Sequence, residues 1–593
     1  MKLLKYSILP VFFLIITLSC AKIGTPVGGP KDVTPPEVDW TKTKPANNST
    51  NFSGKKVEIT FNEFLKLKDI QKLFVTSPPF KNKPEVILKY KTVVVNFKDS
   101  LIPNATYTLN FGNSITDNNE GNAIRDFEFV FSTGDFIDSL SYEGKVTNAL
   151  DHKPDKEGLF VMLYDVMGDS VPFKYLPAYT AKTNEMGFFR INHIKADTFM
   201  VVAVKDNNNN FMMDTNEEVA FSDSLLYLNS SFYHAPDTAA AKDTARSDSA
   251  YFSRFKPQIE LYYFKEDNKS QYLVKKERKL ANQLFYNFNA PLTDTFKISI
   301  ADNPVKKPWY LLEESANRDS MTVWITDTTL IKTDTLKTVL VYPMLDSTNT
   351  LQPKFDTLRM VYKAPQAEQR RSKKLANKEI QKLSISSNAR DGFDLNNKIV
   401  VIADQPIDSI DKTKIYFTYL EDTVSTPVKY TVNKDSADFR KFRINFTPSS
   451  GTAYTLVFDS LAVSSIYNTY NDSLGVKFNA QRDDFYGAIK AKLEDVKGNV
   501  ILQVMDDKEA LIKTYFLKED KLVTIDYLAP GKYMLKVIFD TNDNRKWTPG
   551  NYLKKIQPEK VEYFKDIITV RSNWDVEVTW KLGQKEVAVG SSK

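Results

Sequence analysis

The sequence predicts an all-β protein made of tandem β-sandwich modules, and three observations carry that prediction. Apolar residues recur with period two, as in Val57-Glu58-Ile59-Thr60-Phe61, Tyr107-Thr108-Leu109-Asn110-Phe111 and Phe127-Glu128-Phe129-Val130-Phe131. Alternation rich in aromatic and β-branched side chains puts every second residue on the inner face of a half-buried strand. Asparagine clusters such as Asn47-Asn48 and Asp117-Asn118-Asn119-Glu120-Gly121 mark the turns, supplying what glycine, only 20 of 593 residues, does not. Sustained helical periodicity is rare, and 593 residues at about 150 per domain imply roughly four domains, or more if they are small sandwiches.

The N-terminus reads as an address. Lys2 and Lys5 precede an apolar run over residues 6–18 that ends in Ser19 and Cys20. A short basic region, about a dozen apolar residues and then a small residue form a secretory signal. The run is shorter than the ~20 apolar residues a membrane span needs. Thr17-Leu18-Ser19-Cys20 resembles a bacterial lipobox, although Thr17 stands where Leu is usual and Leu18 is bulkier than the usual residue. The resemblance implies removal of residues 1–19 and lipidation of Cys20, the only cysteine; the plainer alternative is an ordinary cysteine near a cleaved signal. Acyl chains on Cys20 would insert at roughly 0.8 kcal/mol per buried CH₂. Residues 20–36 are rich in Pro and Gly and read as a tether, unable to be helix or central strand. They lack the acidic run that resembles the surface-export signal of some Bacteroidota lipoproteins, so the periplasmic and surface faces both stay open.

Five modules follow. In 37–135 the stretches Pro45-Ala46-Asn47-Asn48-Ser49-Thr50, Val57-Glu58-Ile59-Thr60-Phe61-Asn62-Glu63, Leu101-Ile102-Pro103-Asn104-Ala105-Thr106-Tyr107 and Phe129-Val130-Phe131-Ser132-Thr133-Gly134 resemble the bacterial Ig-like domain. That family implies a sandwich that spaces or displays other domains. Residues 138–230, with Tyr142-Glu143-Gly144-Lys145-Val146-Thr147 and Glu185-Met186-Gly187-Phe188-Phe189, resemble the transthyretin-like or Cna-B-like sandwich. Residues 194–210 align without gaps to 528–544, both running through a strand into Asp-x-Asn-x-Asn. That spacing is too long for a solenoid and implies a second copy of the same sandwich over 486–582. A weaker echo pairs Tyr107 to Phe111 with Tyr454-Thr455-Leu456-Val457-Phe458 and implies a second Ig-like sandwich over 383–485. Residues 251–364 read as a β-sandwich by pattern alone. Residues 231–250 are low in apolar bulk and read as a linker, 365–382 as a basic connector with helical character, and 583–593 as a tail.

The Asp-x-Asn-x-Asn loops are the sharpest chemical feature. Asp206, Asn208, Asn210, Asp214 and Glu217 fall at positions 1, 3, 5, 9 and 12 of an EF-hand-like loop, and oxygen-bearing side chains at those positions suit calcium. Phe211 replaces the turn glycine of that motif. In the second loop Asp540, Asn542 and Asn544 keep the start, while Thr548 and Asn551 take positions 9 and 12, a poorer donor set. The competing reading of both loops is an Asx-rich turn whose side chains bond to backbone amides.

Other chemistry has little footing. His152, His193 and His234 show no metal-ligand spacing, and no phosphate-binding glycine loop or GxSxG is present. With 80 basic against 74 acidic side chains the net charge of +6 gives no reason to invoke nucleic acid. Trp40, Trp309, Trp324, Trp547, Trp574 and Trp580 could stack on sugars but more often fill cores. The whole arrangement, a lipoprotein signal followed by an Ig-like module, resembles the Ig-like domain-containing lipoproteins of Bacteroidota, and that resemblance implies a non-catalytic, lipid-anchored outer-membrane protein. Its role would be a scaffold docking protein partners, among them an outer-membrane β-barrel complex. The alternatives are a surface glycan-binding or adhesion module and a carboxylate-pair hydrolase.

Overall fold

Alternation does in the first module what it predicts. Val57 and Ile59 in Lys56–Thr60 and Val93 and Val95 in Thr92–Asn96 are buried on one sheet. Tyr107 and Leu109 in Thr106–Asn110 and Phe129 and Phe131 in Glu128–Ser132 are buried on the other, in the same core cluster. Each such side chain contributes about 1.5–3 kcal/mol on full burial. The computed structural model describes residues 31–214, 216–229, 257–267, 271–292, 296–301, 308–345, 351–363, 382–421 and 424–583. The signal segment, Cys20, the 231–250 linker, all but the last residue of the 365–382 connector, and residues 584–593 lie outside the described residues.

The chain is all-β, organised as tandem sandwich modules. Among the described residues the α-helical segments are Ile70–Leu73 and Thr328–Ile331. Five hydrophobic clusters, one per module, share no residue with one another. The chain divides into two compact units: Met1–Lys265 with Asn551–Ile556, and Glu266–Gly550 with Gln557–Lys593.

In the first unit, the Ig-like sandwich precedes the sheet of the second module. That sheet runs Tyr179–Lys182, Phe160–Tyr164, Thr198–Val204, Glu218–Phe221, Ile259–Lys265, Leu140–Asn148, Phe188–Ile194. The strand Ile259–Lys265 departs from the sequence reading, which placed it in the third module. It pairs parallel with Leu140–Asn148 and antiparallel with Glu218–Phe221, and Leu261 and Tyr263 join the second core. The modules of this unit meet through polar bonds: Thr180 N–H donates to Ser77 Oγ at 3.2 Å, and the Asn192 amide donates to Glu128 Oε2 at 3.1 Å.

In the second unit, the third module stacks a four-stranded sheet containing Gln283–Phe288 and Ser320–Ile325 on a three-stranded one containing the long hairpin Thr335–Leu345 and Leu351–Val361. The fourth module shares a detail with the first. Tyr107 Oη accepts from Ile102 N–H at 2.8 Å and Tyr454 Oη accepts from Ser449 N–H at 2.8 Å, each five residues upstream. Such a tyrosine corner is a feature of Ig-like sandwiches. The fifth module closes as the second does: its last strand, Asp575–Lys581, pairs parallel with its first, Gly487–Glu494.

Candidate functional site

Each Asp-x-Asn-x-Asn loop leaves the end of a central strand, Thr198–Val204 or Gly531–Phe539. The structure brings the five predicted residues of the first loop together and shows what each holds. Asp206 is buried, accepting from Asn210 N–H at 3.3 Å through Oδ1 and from Phe211 N–H at 2.8 Å through Oδ2. Asn208 Oδ1 accepts from Asn210 N–H and Asn210 Oδ1 from Met212 N–H, a ladder of Asx turns. The amides of Asn208 and Asn210 both donate to Asp214 Oδ2, at 2.7 and 3.0 Å. Glu217, also buried, spans the loop by accepting from Asn207 N–H at 2.9 Å and Asp214 N–H at 3.0 Å. Burial pushes the Glu217 carboxyl up from its ordinary value, against the pull of those two backbone bonds and with Asp206 and Asp214 adding to the rise.

The second loop repeats this bond for bond. Asp540 accepts from Asn544 and Arg545 N–H at 3.1 and 2.9 Å. The amides of Asn542 and Asn544 donate to Thr548 Oγ1 at 2.7 and 2.8 Å. Asn209 and Asp543 share a left-handed φ, 57° and 56°, as do Phe211 and Arg545 at 57° and 60°. Phe211 thus adopts the conformation that glycine supplies at that point of an EF-hand loop. Its ring is buried against Phe160 at 5.1 Å, which compensates the strained backbone.

One residue escaped the sequence reading. The carboxylate equivalent to Glu217 is Glu559, buried, with Oε1 accepting from Thr541 N–H and Oε2 from Thr548 N–H at 2.8 and 2.9 Å. Gapless alignment had put Asn551 there. Asn551 instead opens an insertion, Asn551–Ile556, closed by a bridge between its ends. That segment belongs to the first unit, where Tyr552 is fully buried with its ring 5.4 Å from Phe221 and 5.9 Å from Phe173. The Trp547 indole N–H donates to the Glu559 carbonyl at 3.0 Å, a local mark of the displaced glutamate.

The chemistry of both loops follows. In each, the buried carboxylates at the two ends are satisfied by backbone N–H donors. The ninth position works equally as Asp214 or Thr548 because what it supplies is an oxygen that accepts from two amides. Among the described residues no group of three or more His, Cys, Asp and Glu converges as a metal cage.

Residues 32–133 match the model of a family described as bacterial Ig-like domain, which confirms the resemblance of the first module. A search of curated proteins finds no match. Among solved structures, the chain is similar to the major pilin subunit BcpA of Bacillus cereus, at 11% identity, over 48% of this chain and 93% of that one, with TM-score 0.13. It is also similar to domains 1–6 of the surface layer protein SbsC, at 9% identity, over 90% and 67%, with TM-score 0.14. The N-terminal four Ig domains of Dscam1 isoform 8.4 match at 8% identity, over 74% and 98%, with TM-score 0.15. Superpositions this loose carry no argument here; the fold rests on the chain's own sheets and cores.

Proposed function

We propose that this chain is a non-catalytic scaffold of a Bacteroidota-type cell envelope, anchored to the outer membrane through lipidated Cys20. It docks protein partners there, among them an outer-membrane β-barrel complex. The observation that carries the reading is the serial build: five modules with separate cores, joined within each unit by specific polar bonds. In the second unit the buried Glu313 accepts from the Trp324 indole N–H at 2.9 Å and from Arg440 at 2.7 and 3.1 Å, tying the third module to the fourth. Tyr486 Oη donates to Asp394 Oδ1 at 2.8 Å, tying the fourth to the fifth. Modules pinned in this way hold loop ends and sheet edges at set spacings, which suits presentation rather than turnover. The edge strand Leu511–Leu517 offers apolar side chains to solvent, with Leu511 56% and Phe516 51% exposed. Exposed strand edges of this kind accept an added strand.

Affinity purification of the full chain from detergent-solubilised membranes tests the reading. Stable co-recovery of barrel proteins, weakened by Leu511→Lys, supports it; recovery of the chain alone sinks it. Metabolic palmitate labelling that disappears in Cys20→Ser tests the anchor, and protease shaving of whole cells decides the face. A glycan-binding role is favoured by one separate feature, a hollow in the fifth module.

A further inference from the structure

One end of the three-stranded sheet in the fifth module carries an open hollow of about 580 Å³, lined by Tyr486, Gly487, Asp526, Tyr527, Asn573, Trp574 and Asp575 among others. We propose that this hollow binds a saccharide.

Four features of the local backbone build it. Gly487 lets the chain before the last strand lie against the first: a Cβ there would come within 2.5 Å of the Arg571 carbonyl and 2.6 Å of the Trp574 carbonyl. The turn is pinned in that place by Asn573 N–H to the Tyr486 carbonyl at 2.8 Å and Ala488 N–H to the Trp574 carbonyl at 3.2 Å. The ladder between Gly487–Glu494 and Lys521–Leu528 shifts register between Gly487 and Ile489, and Asp526 and Tyr527 are the residues in that irregularity. A bulge re-aims side chains. Tyr527 also has φ 56°, a backbone conformation disfavoured for a bulky residue. Strain of this kind at the rim of a hollow points to use of the side chain there.

The groups presented match a polyhydroxylated ligand. Trp574 and Tyr527 are 63% and 47% exposed and offer ring faces on which the C–H face of a sugar can stack. Tyr527 is buttressed by Tyr486, rings 5.3 Å apart, and Tyr486 is itself held through its hydroxyl by Asp394. Trp574, Asn573, Tyr527 and Asp526, all lining residues of the hollow, are residue types that carry hydrogen-bond donors and acceptors together. Sugar hydroxyls also donate and accept, so both kinds of group are used. A cation would need acceptors and rings alone, and here Asp575 is already engaged by Lys490 at 3.0 Å. The inference stands apart from the scaffold reading: polysaccharide retention and barrel co-recovery are separate readouts, and either can fail without the other.

Affinity electrophoresis of the full chain through gels containing soluble dextran, mannan or galactan tests it. Retardation by at least one polymer is expected, reduced at least tenfold in apparent affinity by Trp574→Ala and by Tyr527→Asn. Asparagine tolerates the left-handed backbone, so Tyr527→Asn should melt no lower than the parent, which separates loss of ligand contact from loss of fold. No retardation by any of the three polymers overturns the proposal, as does retardation unchanged in both variants. Retention on a poly-lysine support that both variants lose would assign the hollow to a cation and likewise overturn it.

Discussion

Asp206 and Asp540 each gather two backbone N–H groups at the end of a central strand. Asn208 and Asn542 also accept from the first of those donors in each loop, so removing the carboxylate strands the second, Phe211 N–H or Arg545 N–H, at about 1–3 kcal/mol. Asp206→Ala is therefore expected to lower the unfolding midpoint of the transition that contains the second module, read by calorimetry. Asp214→Thr installs the residue that the second loop uses at the same place, where Thr548 accepts from both asparagine amides. That variant should keep its midpoint within roughly the ±0.5 kcal/mol of an ordinary surface change. Because the end carboxylates already accept N–H donors, excess calcium and chelator are expected to give the same melting curve. A calcium-dependent rise abolished by Asp214→Thr would instead assign an ion to Asp206, Asn208, Asn210, Asp214 and Glu217. At this scale the loop start was legible because Asp-x-Asn-x-Asn is local. Glu559 was not, because the insertion at Asn551–Ile556 puts it beyond the reach of a gapless alignment.

Strands were legible as elements wherever inner and outer faces differ, as in Lys56–Thr60 or Ala453–Phe458, whose buried residues alternate. Their partners were less so. Ile259–Lys265 follows a long low-complexity stretch, and its own pattern carries no sign that it pairs parallel with Leu140–Asn148. The repeat within the chain held the clue, since Asp575–Lys581 makes the same parallel closure. The tie between the third and fourth modules was likewise invisible. Glu313 and Arg440 are 127 residues apart in the chain. Arg440→Ala leaves the buried Glu313 with Trp324 alone, and truncating one partner of such a pair costs about 2–5 kcal/mol. We expect the corresponding calorimetric transition to fall by several degrees, with Arg440→Lys restoring only part because the forked, two-bond contact is lost. An unchanged midpoint in Arg440→Ala would show the tie to be idle.

Five cores that share no residue make all-or-none unfolding an unexpected behaviour for the whole molecule. The calorimetric enthalpy should exceed the van't Hoff enthalpy, with more than one resolvable transition. A single transition with the two enthalpies equal would mean that the modules unfold as one. The family resemblances implied the sandwich form of the modules; period-two alternation, asparagine punctuation and the two internal echoes were enough by themselves to determine the all-β class and its tandem repetition. They do so because facing, turning and burial depend on residues a few positions apart. Tertiary structure alone decided which strand closes the second module, which glutamate seals the second loop, and that Tyr527, Asp526 and Trp574 meet at one sheet end. Those outcomes depend on strand pairing between distant segments, where geometry sets the partner and sequence separation carries no signal.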